Sequence, residues 1–318
     1  MRIPPYFSDC VAFLMETGHD PSGTGFFVEV EENSRNWIYF ITALHSIESA
    51  YGRSITIRLN THRGVPTPPL PGYEEHDTDK NEWFKHDKAD IAAILIDLDR
   101  SRYSFECVPL YVFIDSQSRI DLARFREAAN PGQAAVTPPP SEIIEVQLGD
   151  EVFAPGLFVQ SAGANRNLPV VRFGNIARMP GEELIALETK RQNSLIRAYL
   201  VDAHSWGGLS GAPMFWHFKY DISTAIVAER VPDKPKSPLD VITQSNRKEH
   251  VDVLARTGNL TGLLGVVSGH YNILTKSTDE TIATALNAGI VIVTPAENIR
   301  ELLMRDDVCA DRKRCAAR

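Results

Sequence analysis

No apolar run in the sequence reaches the roughly 18 residues that a helix needs to cross a bilayer, so no membrane span is expected. No cluster of lysine and arginine could track a phosphate backbone, and the net charge is −8, which sets nucleic-acid partners aside. The segment Met1 to Cys10 carries one early positive charge but no apolar core and no small-residue cleavage site. A cytoplasmic location is therefore expected. Only four cysteines occur, and none forms a C-x-x-C pair. Cys10 and Cys107 sit in apolar strand-like runs and read as buried free thiols. Cys309 and Cys315 lie in a polar tail with too few neighbouring ligands for zinc, and no metal or organic cofactor is implied.

What the chain does have is apolar content. Its 318 residues are 43% hydrophobic, enough to bury one or two ordinary cores. Its charged fraction of 23% is that of a globular protein and argues against general disorder. The first third is strand-rich. Val11 to Met15, Gly25 to Val30, Trp37 to Thr42, Ser54 to Leu59, Ile91 to Ile96 and Val108 to Ile114 are short β-branched and aromatic runs separated by turn formers. Such a set, with no long amphipathic helix between its members, predicts a small antiparallel barrel. A short helix fits Ala43 to Ala50.

Residues 61–88 are polar and carry Pro66, Pro68, Pro69 and Pro71, which predicts a long surface loop. Ile120, Leu122, Phe125 and Ala128 recur near helical spacing and predict a helix over 116–129. Pro138, Pro139 and Pro140 then stiffen the chain at a domain boundary. A second strand-rich block follows, from Ile143 to Val293, interrupted by a charged insertion over 229–259. A last helix is expected where Thr294 can cap, Pro295 suits the first turn and Glu297 completes a capping box. The tail after Arg305 reads as polar and frayed.

Three segments carry chemistry. Trp206-Gly207-Gly208-Leu209-Ser210-Gly211-Ala212-Pro213 sets a serine among glycines. A serine hydroxyl attacks only when a base takes its proton and N–H donors face the developing oxyanion, and glycines let a backbone adopt that geometry. Taken alone, the segment is also an ordinary Gly-rich turn. Thr42-Ala43-Leu44-His45 carries a histidine from an apolar strand into a helical turn, where a purely structural histidine is common. Asp90 opens the apolar strand Ile91 to Ile96, as a turn aspartate would, yet a carboxylate drawn inward there needs a partner.

Together the three segments resemble the chymotrypsin-like (trypsin-like) serine peptidases. The motifs are T-A-x-H at Thr42 to His45, D-[IL]-A at Asp90-Ile91-Ala92 and G-x-S-G-x-P at Gly208 to Pro213, in the family's order. Gly23-Thr24-Gly25-Phe26 and Leu264 to Gly269 are similar to two further strands of that family. The resemblance implies an all-β fold of two six-stranded antiparallel β-barrels, the chymotrypsin-like double barrel, closed by a C-terminal α-helix. Residues 1–115 would form the barrel with His45 and Asp90, 116–142 a linker, 143–294 the barrel with Ser210, 295–306 the helix and 307–318 a tail.

The implied activity is endopeptidase chemistry through an acyl-enzyme on protein or peptide substrates. Ser210 would attack, His45 would shuttle the proton and Asp90 would orient the imidazole. The N–H groups of Gly208 and Ser210 would form the oxyanion hole. Ser268 would hydrogen-bond Asp90 from behind, and Ser268, Gly269 and His270 would line the substrate strand. His204, six positions before the serine, and Ser205 would sit at the specificity pocket. No acid lies at that floor, so a Lys/Arg preference is not expected. Family members with a histidine there cleave after Glu or Gln, which makes that preference one reading, beside the plainer one that His204 and His270 are partly exposed loop residues.

Leu209 replaces the aspartate that digestive members carry, and no cysteine flanks His45. Both departures resemble intracellular bacterial members. Asp87 also precedes the strand, but Asp90 abuts the apolar run. The loops over 61–88 and 229–259 leave room for an activating protein partner. The competing reading is a non-catalytic or latent form of the same fold that binds proteins or peptides. An ester hydrolase is disfavoured because no strand-turn-helix nucleophile elbow is present.

Overall fold

A computed structural model describes residues 3–16, 20–48, 54–62, 72–121, 143–181, 183–188, 193–203, 207–226, 252–276 and 283–316. A short helix α1 (Tyr6–Asp9) precedes β1 (Val11–Glu16), β2 (Pro21–Glu32) and β3 (Arg35–Thr42). One helical turn, α2 (Leu44–Glu48), leads to β4 (Ser54–Asn60), β5 (Tyr73–Asp79), β6 (Phe84–Lys85), β7 (Ala92–Leu95) and β8 (Val108–Pro109). These strands form one sheet in the order β5-β4-β1-β2-β3-β7-β6, with β8 parallel to β2.

This half-barrel corrects the expected closed six-stranded N-terminal barrel. Among the described residues it has eight strands, with β5 and β6 at its ends. The added strand β5 lies in the stretch read as loop. Its residues Glu74, Glu75, His76 and Asp77 show no apolar face, because an edge strand facing water needs none. The run Val108 to Ile114 stays a strand for two residues only, then winds into a 3-10 turn over Leu110–Val112.

The central strands are buried on both faces, which is why they read as nearly continuous apolar runs. Trp37, Tyr39 and Ile41 face one core with Phe26, Val28 and Val30. Phe27, Phe40, Ala92 and Ile94 face the other, with Ile47, Trp83 and Phe105. The period-2 alternation of a strand thus sorts one run of side chains between two cores.

Next come β9 (Arg119–Asp121) and β10 (Ile143–Glu145), which pair with each other. β9 corrects the helix expected over 116–129 at its first residues, and positions 122–142 lie outside the described residues. Then follow β11 (Glu151–Gly156), β12 (Val170–Arg178), β13 (Ile185–Glu188), β14 (Asn193–Ile196), β15 (Tyr199–Asp202), β16 (Pro213–Ile226), β17 (Asp252–Lys276) and β18 (Ala283–Pro295). β11-β12-β15-β18-β17-β16 close into a six-stranded barrel, while β13 and β14 form a separate hairpin. Contacts divide the chain into Met1–His217 with Thr261–Arg318 and a small second unit, Phe218–Leu260. Of the insertion expected over 229–259, residues 229–251 lie outside the described residues, and the chain from Asp252 is strand.

Two helices end the chain, α3 (Ala296–Leu303) and α4 (Asp306–Ala316). The expected capping box is not formed. Pro295 is the N-cap with no side-chain cap, Thr294 Oγ1 is taken by Ser268 Oγ at 2.6 Å, and Glu297 pairs with Arg300. The tail read as frayed is α4, docked by buried Val308 and by Arg312, whose guanidinium donates to Glu32, Tyr39 Oη and Leu303 O. A basic side chain that anchors a helix from inside looks, in sequence, like one more polar tail residue.

Candidate active site

Strand register brings His45 and Asp90 together. β3 and β7 run antiparallel with Thr42 opposite Ala92, so the residues just past the end of β3 meet those just before β7. His45 sits in the first turn of α2, and its backbone N–H donates to Asp90 Oδ1 at 2.9 Å. Its ring Nδ1 meets Asp90 Oδ2 at 2.8 Å. The Asp90 side chain is 6% exposed and that of His45 22%, so the carboxylate is enclosed while the imidazole reaches solvent. A carboxylate accepts only. Nδ1 must therefore carry the proton, which leaves Nε2 with a free lone pair in the neutral ring. Asp87 is instead on the surface, 3.6 Å from Arg305.

Ser210 lies in the turn that enters β16. Two threonines fix that turn, and each is fully buried. The Thr24 N–H donates to Ser210 O at 3.0 Å, and Thr24 Oγ1 donates to Gly208 O at 2.7 Å while accepting from Leu157 N at 2.9 Å. Thr42 Oγ1 donates to Thr24 O at 2.7 Å. From the barrel side, Gly211 N donates to Val267 O at 2.8 Å and Val267 N to Ala212 O at 2.9 Å. Each such buried bond contributes on the order of 1 kcal/mol.

Gly211 is the point of closest approach. With φ +84°, it has a backbone that a side chain rarely adopts, and a Cβ there would lie 2.1 Å from Thr24 O and 2.2 Å from Thr42 Oγ1. The same Cβ would lie 3.0 Å from Ala43 N, two residues before His45, so the serine turn abuts the histidine turn. Gly208, at φ +99°, packs toward Leu157 and Val159. Leu209 is buried and points at Gly156, so apolar packing helps to hold the turn.

Among the described residues, the amides of Gly208 and Ser210 have no acceptor and Ser210 Oγ makes no hydrogen bond, to His45 included. Ser268, expected behind Asp90, is 2% exposed and bonds Thr294 instead. Gly269 and His270 are half-buried on β17, and a Cβ at Gly269 would lie 3.1 Å from Leu187. His204 and Ser205 lie outside the described residues. The roles of Thr24 and Thr42 are not legible in the sequence. A threonine in an apolar strand gives no sign of which backbone its hydroxyl will meet. Among the described residues, no group of three or more His, Cys, Asp or Glu could hold a metal, and no helix is long and apolar enough to cross a membrane.

No family model matches the chain, and no curated protein does. Among the solved structures that match, the crystal structure of the Rv3671c protease in its inactive form aligns over 93% of this chain and 88% of that one. The TM-score is 0.35 and the identity 13%, a likeness too loose to carry an argument.

Proposed function

We propose that the protein is a serine endopeptidase built on one closed β-barrel and one half-barrel sheet, acting on protein or peptide substrates in the cytoplasm. Ser210 is the nucleophile, His45 the general base and acid, and Asp90 the group that holds the imidazole. The observation that carries the reading is the two-point grip of Asp90 on His45, through the ring at 2.8 Å and the backbone at 2.9 Å. That grip fixes the tautomer in which Nε2 accepts a proton, on a turn packed against the one that bears Ser210.

The reaction follows from these groups. Ser210 Oγ adds to the scissile carbonyl as His45 Nε2 takes its proton. The N–H groups of Gly208 and Ser210 receive the oxyanion. His45 returns the proton to the leaving amine, and water, activated by the same imidazole, then frees the acid from Ser210. Gly269 and His270 pair with the substrate backbone, and His204, Ser205 and His270 select its side chain. The four cysteines are all free, in keeping with a reducing compartment.

A second reading has one observation in its favour. The absent Ser210–His45 hydrogen bond fits a latent form that binds peptides, or that waits for an activating protein. Catalytic hydrogen bonds often tighten only with substrate in place, so the absence of this one is compatible with an active enzyme. Cleavage of a peptide library by wild type, Ser210→Ala and His45→Ala decides between them. Wild-type cleavage absent from both variants, with Glu or Gln before the cut, is the expected result. Wild-type peptide turnover equal to that of Ser210→Ala would remove the assignment, and cutting after Lys or Arg alone would remove the specificity.

A further inference from the structure

Asp90 is carried by a tight loop that the sequence does not explain, since 86–91 holds neither glycine nor proline. His86 explains it. Its N–H donates to Ile91 O at 3.0 Å, which closes the loop across its base. Its ring turns inward, 12% exposed, and Nδ1 accepts from Lys88 N at 3.1 Å and from Ala89 N at 2.9 Å. Those are the amides of the two residues just before Asp90. Because Nδ1 accepts twice, the ring proton must sit on Nε2, and Nε2 meets Glu301 Oε2 on α3 at 3.3 Å.

The same C-terminal segment grips the loop a second time. Arg305 Nη1 donates to Lys85 O at 2.8 Å and lies 3.6 Å from Asp87 Oδ1, while Asp307 holds the rest of the guanidinium.

We infer that His86 is a positioning residue for Asp90: its Nδ1 holds the Asp90 loop in shape, with Glu301 on the C-terminal helix setting the tautomer that makes this possible. The inference rests on the proposed function for what Asp90 does, but not for how the loop is held. It makes the C-terminal helix a part of the active-site support. An imidazole without a free Nδ1 lone pair leaves two amides without an acceptor and lets the carboxylate shift relative to His45. A misplacement of about 1 Å at such a site costs on the order of 100-fold in rate.

His86→Asn and His86→Ala separate this role from simple packing. The asparagine Oδ1 stands where Nδ1 does and can accept from the same two amides, while alanine cannot. Fluorophosphonate labelling of Ser210 is measured over a range of probe concentrations, so that kinact and KI are obtained separately. Expected is a fall in kinact of about 10- to 100-fold in His86→Ala with KI nearly unchanged, and recovery of most of it in His86→Asn. Equal kinact in His86→Ala and wild type, or equal loss in the two variants, overturns the proposal. Should His86→Ala fail to fold, Glu301→Ala, whose side chain is 58% exposed, takes its place, with a fall of a few fold expected and none overturning the proposal. Should wild type itself resist the probe, the proposed function fails and amide hydrogen exchange decides alone. Lys88 and Ala89 then exchange faster in His86→Ala than in His86→Asn, and equal rates overturn the role.

Discussion

Gly211→Ala tests the packing of the two site turns against each other. A Cβ at this position would stand 2.1 Å from Thr24 O and 2.2 Å from Thr42 Oγ1, and real Cβ contacts do not go below 3.0 Å, so the turn must withdraw by about 1 Å. Neither neighbour can yield: Thr24 O accepts from Thr42 Oγ1, and both strands are in the central sheet. The positive φ adds about 1–2 kcal/mol and the overlap about 1–3 kcal/mol, so a total loss of about 2–5 kcal/mol is expected. Displacing Ser210 by about 1 Å should slow its acylation on the order of 100-fold. Gly207, in the same turn, is the control: its Cβ would meet nothing within 4 Å, and Gly207→Ala should leave stability and rate close to wild type. Urea titration gives the first quantity and the labelling rate of Ser210 the second. Equal behaviour of the two alanine variants would refute the reasoning, since only one of the two positions is enclosed.

Three further outcomes are expected. Arg312→Met leaves Tyr39 Oη and Leu303 O without their buried donor and the partly exposed Glu32 without its partner, and should cost about 1–3 kcal/mol by thermal or chemical unfolding. Thr42→Val keeps the shape of a fully buried side chain but removes its bond to Thr24 O, and should cost about 1–3 kcal/mol in the same assay. Burial pushes the Cys107 thiol up from 9.0 to about 12. A folded-state pKa raised in this way supports the fold fully below the unfolded value, and that support is lost as pH rises from about 9 toward 12. Alkaline unfolding should therefore be delayed in Cys107→Ala, and in the native wild type iodoacetamide should spare Cys107 at neutral pH.

How far the sequence could be read depends on what each residue had to announce. Val28, Tyr39, Ile41 and Ile94 announced strands, because a strand buried on both faces cannot avoid being apolar. Asp90 announced a buried partner by opening such a strand. β5 stayed hidden, since Glu74, Glu75 and Asp77 serve an edge that faces water and carry no periodicity to detect. α4 stayed hidden for a related reason: its anchor is a charge, Arg312, not an apolar stripe. Thr24, Thr42 and His86 organise the site through hydrogen bonds to distant or local backbone, and residue identity alone does not encode the acceptor or donor that a fold will supply. Six strand-like runs predict a closed first barrel, while the sheet uses two more strands, β5 and β6, that those runs do not include.

The central claim is that His45 Nε2, freed by the Asp90 grip on Nδ1, can take the proton of Ser210 Oγ. Intact mass after reaction with a fluorophosphonate, followed by mapping of the adduct, tests it most directly. The account predicts one adduct, on Ser210, that is absent from Ser210→Ala and strongly slowed in both His45→Ala and Asp90→Ala. A folded wild type that stays unmodified, or that reacts as fast without His45 as with it, would contradict the account.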